Sequence, residues 1–405
     1  GNNEMQVAWE RWGYQKSFGY SKIDSAKIYD DYLKIFDDIL PKVINKYDFE
    51  RFYWQSSPNS APSGWKEEAK TGDFHYWDVW WGKKPFSAYE KNVGRFMSEY
   101  GFQSIPALST IKSFCDDSSL FLVSDIMKSH NKHPVGFETI REYMKRDFVI
   151  PDDFENYVIA SQILQAEGMK TAIEAHRRAK PNCMGTLYWQ LNDCWATVSW
   201  SSVDYFGRWK AFHYYLQKLY APVLLSPVYE NGKIKVYLVS DYLKDMHVNV
   251  KLRLMDFYGN VIWIFDEKAV MKANVSQLIF SEELKNIAKN HKKDEIFLNV
   301  EIRESDSLLS VNNLFFAEDK KLKLPKQKLS YKPVQDKNRF GIEISSTVFA
   351  KYVYLEYYDD KGIFSDNYFS LLSKEPKIVW FNTDISSEEI YKNVKIKFLN
   401  VFSAE

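Results

Sequence analysis

Two different periods run along this chain, and the change from one to the other falls at Pro222. Before it, short apolar runs are separated by stretches whose apolar residues recur at helical spacing. After it, short runs alternate apolar with polar residues and are divided by turn dipeptides such as Asn231-Gly232 and Gly259-Asn260. The first pattern belongs to parallel βα units and the second to antiparallel sheets. The chain is therefore expected to be α/β followed by all-β.

In the first part, Ile28, Leu33, Ile35, Phe36, Ile39, Leu40, Val43 and Ile44 predict a helix over 24–47 with a kink at Pro41. Strands are expected over 49–55, 72–78, 94–100 and 184–189, and helices over 152–180 and 209–220. That makes about four βα units, half the number that closes a (β/α)8 TIM barrel. The chain opens on Gly1-Asn2-Asn3-Glu4, with no initiator Met and no export-signal pattern. It reads as the C-terminal half of such a barrel, with the other half of a longer parent chain upstream. In the second part, 233–239, 248–254, 261–264 and 296–302 read as strands of an immunoglobulin-like β-sandwich. Residues 319–338, Lys-rich and holding Pro325 and Pro333, read as an edge segment leading into a linker. Aromatic runs at 340–344, 352–358 and 394–398 predict a second, smaller sandwich. The expected domains are 1–221, 222–331 and 332–405.

Composition narrows the function. Lys plus Arg and Asp plus Glu both number 54, so no net field draws in nucleic acid or an anionic membrane, and neither is expected as a partner. No run is apolar for the roughly 20 residues that a membrane span needs. Cys115, Cys183 and Cys194 are odd in number and lack CxxC spacing, which points to free thiols. The seven His show no HxxxH or HxH spacing, and no metal and no cofactor are expected. Of 13 Trp, all but Trp263 and Trp380 precede Pro222. Indole faces stack on sugars as well as burying in cores, so a candidate ligand site is placed in the first half.

Glycoside hydrolysis needs two carboxyl groups flanking the scissile bond, and barrel enzymes carry them at the carboxyl ends of strands. Glu4 and Glu99 fit that placement. Glu99 closes the run Arg95-Phe96-Met97-Ser98, where an acid is costly to bury without partners.

The blocks GNNE at the start, SEYGFQSIP at 98–106 and GTLYWQLNDCWATVSWSSVDYFGRWKAFHYY at 185–215 resemble the signatures of family 2 glycoside hydrolases. With GDFHYWDVWWGKKPF at 72–86 the likeness is strongest to the β-mannosidase branch, and it covers nearly all of residues 1–225 in order. The resemblance implies that Glu4 is the general acid/base, Glu99 the nucleophile and Asn3 a donor to the sugar 2-hydroxyl. It makes Trp189 the aromatic floor under the sugar. It also sets His75, Tyr76, Trp77 and Asp78 on the pocket rim, with Asn192 and Asp193 beyond the floor. The implied activity is a retaining exo-β-mannosidase that removes terminal β-mannose from an oligosaccharide or glycan by double displacement. Its carboxyl groups would stand about 5–5.5 Å apart. Two acids so close are not both comfortably ionised, which favours a protonated Glu4. Sister activities on β-galactosides or β-glucuronides, and a non-catalytic carbohydrate-binding protein, are the competing readings. The resemblance points to an extracytoplasmic setting (periplasmic, secreted or lysosomal). This piece alone, lacking half a barrel, is expected to have little activity.

Overall fold

The computed structural model describes residues 4–60, 69–336, 339–357, 361–382 and 387–399, with side chains from 389 onward in the last stretch. In the α/β part, β1 (Phe74–His75) and β2 (Met97–Glu99) pair in parallel, with Phe74 opposite Met97 and His75 opposite Glu99. Residues 184–189 run along the other edge of β2. There Met97 N–H donates to the Gly185 carbonyl at 2.9 Å, Leu187 N–H to Met97 at 2.8 Å and Trp189 N–H to Tyr100 at 2.8 Å. An irregularity between Phe74 and His75 keeps β1 to two residues, shorter than its apolar run suggests.

The expected strand at 49–55 does not form among the described residues. Phe49 and Phe52 are exposed, and past this stretch the chain meets the β1 lead-in where Asp73 N–H donates to the Asn59 carbonyl at 3.1 Å. The helix foreseen over 24–47 is present as Lys22–Leu33, a wider turn over Lys34–Ile39 and Leu40–Tyr47. Pro41 lies just past the wider turn, at the junction between the two α-helical pieces. It sits in the first turn of the last piece, where its missing N–H is no loss.

The helix Phe154–Arg178 is the backing of this sheet. Asp153 caps it by accepting from Asn156 N–H at 2.8 Å, and His176, Arg177 and Arg178 occupy the last turn, where the helix dipole favours cations. Its buried Gln165 ties it to the strand ends: its amide donates to the Phe102 and Trp200 carbonyls at 2.7 and 3.0 Å and accepts from Ser104 Oγ at 2.7 Å. The helices Gly136–Asp147 and Ala211–Leu219 complete the layer.

After Pro222 the chain is antiparallel β. One sheet has the order β6 (Val261–Met271), β5 (Met246–Asp256), β8 (Ile296–Glu304), β9 (Ser307–Phe315). It faces a second of order β3 (Val223–Glu230), β4 (Lys233–Ser240), β7 (Ser276–Glu283). Their inward residues, among them Leu225, Val236, Leu252 and Val300, form a self-contained apolar core. The next unit pairs β10 (Leu329–Asp336), β11 (Arg339–Ser346) and β14 (Lys377–Trp380). Its other sheet is β13 (Phe369–Leu371), β12 (Ala350–Glu356) and β15 (Lys395–Phe398). The supposed linker is thus corrected in its second half, since 329–336 is a full hairpin partner of β11, from Leu329 opposite Ser346 to Asp336 opposite Arg339. Pro333 is tolerated because β10 is an edge strand. The apolar residues of this last unit, including Ile342, Tyr352, Val353 and Phe369, belong to the same buried cluster as Met97, Tyr100, Ile163 and Phe212 of the α/β part.

Candidate active site

The parallel register brings His75 beside Glu99, and the turn entering the helix at Met5 brings Glu4 against both. His75 Nδ1 lies 3.0 Å from Glu4 Oε1 and 3.8 Å from Glu99 Oε1. One ligand atom from each of the three falls within 4.8 Å of the others. Trp77, two residues along from His75 and so on the same side of an extended chain, donates its indole N–H to Glu99 Oε1 at 2.9 Å. His75 and Glu99 are buried, while the Glu4 side chain keeps 30% of its surface open to solvent. A carboxylate held rigid by an indole and a second, accessible one a few ångströms away can attack a carbon and exchange a proton across one small bound group.

Behind His75 lies Asp73. Its Oδ1 accepts from Trp54 Nε1 at 3.2 Å and from Asn59 N–H at 2.9 Å, and its Oδ2 accepts from Ser57 Oγ at 2.5 Å and Ser98 Oγ at 2.6 Å. Ser57 Oγ also stands 3.2 Å from His75 Nε2. Trp54, Ser57, Asp73 and Ser98 escaped the sequence argument because nothing in their spacing sets them apart from loop residues. The one available signal was an acid directly before a β run.

The other sequence-named residues divide. Trp189 is 39% exposed at the end of the third parallel segment, beside Gly101, where its indole can serve as a floor. Tyr76 points the opposite way from His75 and Trp77. It is buried against Phe74 and Tyr89, with its hydroxyl accepting from Asn92, and does not join the carboxylates. Asp78 is drawn to Lys84 at the surface, and Asn192 is exposed, its carbonyl accepting from Gln190 Nε2 at 2.7 Å. Asp193 is buried and engaged by Lys132 at 2.8 Å and by Ser199 and Ser201. Burial holds the nearby Lys210 ammonium down, at about 8, against the pull of Asp193 and Asp204. Asn3 lies outside the described residues. Glu4, His75 and Glu99 are the one cluster of three metal-type ligands among the described residues. Glu4 Oε1 is paired with His75 Nδ1, and Glu99 Oε1 with the Trp77 indole.

Known proteins agree with this architecture. Residues 232–321 match a mannosidase Ig/CBM-like domain, and residues 324–401 match an Ig-fold domain of mannosidases. β-Mannosidase of Mus musculus is 26% identical over 94% of this chain and 46% of its own length, and β-mannosidase B of Aspergillus clavatus 30% identical over 55% and 28%. The crystal structure of β-D-mannosidase from Dictyoglomus thermophilum superposes with a TM-score of 0.83 at 28% identity, covering 92% of this chain and 45% of that one. An exo-chitosanase of Amycolatopsis orientalis shares the fold at a TM-score of 0.63 and 14% identity. Over its α/β part and both sandwiches the chain is similar to β-mannosidases. It spans about half the length of the curated relatives it matches.

Proposed function

We propose that this chain carries the catalytic carboxylates of a retaining exo-β-mannosidase, acting on terminal non-reducing β-mannose of an oligosaccharide or glycan. The observation that carries the reading is the convergence of Glu4, His75 and Glu99 within 4.8 Å. A separation of that order suits a nucleophile and an acid on one glycosidic bond, whereas inverting pairs stand about 6.5–9.5 Å apart to admit water. In this reading Glu99, oriented by Trp77, attacks the anomeric carbon while Glu4 protonates the departing oxygen. Glu4 then deprotonates the water that releases the sugar from Glu99. Trp189 supplies the apolar floor, and Asn3 a donor to the 2-hydroxyl. The parallel segments are read as the C-terminal half of a TIM barrel, with domains at 1–221, 222–331 and 332–405 and an extracytoplasmic setting. Among the described residues no helix is long and apolar enough to cross a membrane.

The test compares hydrolysis of aryl β-mannoside, β-galactoside and β-glucuronide by the protein at the full length of its relatives. Preference for the mannoside, with loss of about a thousandfold or more in Glu99→Gln and less for activated aryl groups in Glu4→Gln, is expected. Preference for either other sugar reassigns the substrate, and unchanged activity in Glu99→Gln ends the assignment.

A further inference from the structure

We propose that Asp73 and Ser57 are positioning residues that fix the tautomer of His75, so that its bare Nδ1 holds the acidic proton of Glu4 between turnovers. The inference rests on the glycosidase reading of Glu4 and Glu99.

Asp73 accepts from Trp54 Nε1, Asn59 N–H, Ser57 Oγ and Ser98 Oγ and offers nothing in return, the behaviour of an acceptor-only carboxylate with all its lone-pair directions used. Ser57 owns one hydroxyl hydrogen, and the 2.5 Å contact to Asp73 Oδ2 takes it. Toward His75 Nε2, 3.2 Å away, Ser57 Oγ therefore has only lone pairs, so the hydrogen on that line belongs to the imidazole. A neutral imidazole carries a single N–H, which leaves Nδ1 bare. Yet Nδ1 sits 3.0 Å from Glu4 Oε1. Two sets of lone pairs facing at that distance repel, and a proton between them turns the contact into a charge-assisted hydrogen bond. Glu99 does not compete for it. Its Oε1 is 3.8 Å from Nδ1 and already accepts from Trp77. The charged and titratable groups facing the imidazole are thus Glu4 and Glu99 on one side and, through Ser57, Asp73 on the other.

The arrangement serves both halves of the reaction. In the first displacement the Glu4 O–H bond breaks and its proton passes to the leaving oxygen, which keeps the electron pair of its broken bond to the anomeric carbon. A Glu99 oxygen bonds that carbon. Nδ1 and the Glu4 carboxylate then face each other without a proton, which strengthens the pull on the next one. In the second displacement a water oxygen bonds the carbon, its proton returns to the Glu4–His75 pair, and the Glu99–carbon bond breaks with its electrons going back to Glu99. One proton leaves and one returns per turnover.

Long-range 1H–15N spectra of histidine-labelled protein read the tautomer directly and need no activity. The wild type is expected to show one Nε2–H imidazole that disappears in His75→Gln. In Asp73→Asn the amide donates to Ser57, freeing its hydroxyl hydrogen for Nε2 and moving the imidazole hydrogen to Nδ1. In Ser57→Ala the two tautomers mix, and Ser57→Thr restores the first. On the full-length protein, Asp73→Asn should lower kcat/KM about 100-fold for an alkyl β-mannoside, whose departure needs acid, and far less for 2,4-dinitrophenyl β-mannoside. A His75 tautomer unchanged in both Asp73→Asn and Ser57→Ala overturns the proposal, as does an equal loss on both leaving groups. Should Asp73→Asn fold poorly, the Ala and Thr variants of Ser57 decide alone. A tautomer that moves as described, in a wild type that cleaves no β-glycoside, supports the lock and overturns the glycosidase reading instead.

Discussion

Gly101 lies two residues past the end of β2 and against the backbone of Trp189, so Gly101→Ala tests the junction between the strand of Glu99 and the segment of Trp189. A Cβ there would fall 2.3 Å from the Trp189 carbonyl oxygen and 3.2 Å from both Trp200 Cδ1 and Trp77 Cη2. Reaching even the 3.0 Å below which real Cβ contacts essentially never fall requires a retreat of 0.7 Å (3.0 less 2.3) by backbone, not by a flexible side chain. Trp189 is pinned by its 2.8 Å hydrogen bond to Tyr100, so that bond must stretch or Gly101 must move. Overpacking costs about 1–3 kcal/mol and a weakened backbone hydrogen bond about 1, giving a destabilisation of about 2–4 kcal/mol. Urea unfolding followed by tryptophan fluorescence measures it as a shift in midpoint at constant slope. Gly207→Ala is the control: at φ +82° with nothing within 4 Å, it carries backbone strain alone, about 1 kcal/mol. If Gly101→Ala costs no more than Gly207→Ala, the close approach of these two segments is wrong.

Further outcomes follow from buried polar groups. Gln165→Leu strands the Phe102 and Trp200 carbonyls and Ser104 Oγ together, and should cost about 2–4 kcal/mol in the same unfolding assay. Burial pushes His176 down to about 3, so the unfolded chain takes up a proton there before the folded one does. Stability is full above about pH 6.5 and falls by up to ~1.4 kcal/mol per pH unit between there and about 3, and His176→Gln should flatten that fall. Asp147 is shifted the other way, up to about 6, by burial and by Asp319 and Glu318. The folded state there holds the proton longer, so its contribution improves as pH drops through 6. Allowing for its partial exposure, Asp147→Asn should stabilise by about 1 kcal/mol at pH 8 and by nothing near pH 4 in parallel thermal melts.

How much of this was legible depends on whether the information was local. The helix at 154–178 announces itself because its cap, apolar stripe and basic end are all contiguous. The run at 49–55 looks equally strand-like, yet hydrophobicity does not supply a pairing edge. The helix Gly136–Asp147 was missed although Phe137, Ile140, Tyr143 and Met144 share one buried face, because the stretch before it is broken into short turns. Glu4 and Glu99 follow from position and resemblance, and their meeting across 95 residues needs both the register that sets His75 beside Glu99 and the turn at Met5 that carries Glu4 to His75. Ser57 and Asp73 had no such signature. Their significance lies in which hydrogen each gives away, and that appears only once the donors stand around them.

The two sandwiches differ in a way that bears on how the molecule is held together. The central one has an apolar interior of its own, though Ser226 and Asn312 also bond Glu174 of the long helix, and Phe257 and Phe297 pack on Phe349. The last one shares its interior with the helical layer: Tyr352 packs on Phe148, Tyr368 on Tyr214, and Lys397 bonds Glu155 at the head of the long helix. It behaves as a buttress rather than a pendant. Ending the chain before residue 324 would expose the back of the layer that aligns Glu99, and the damage would register at a pocket the truncated residues never touch.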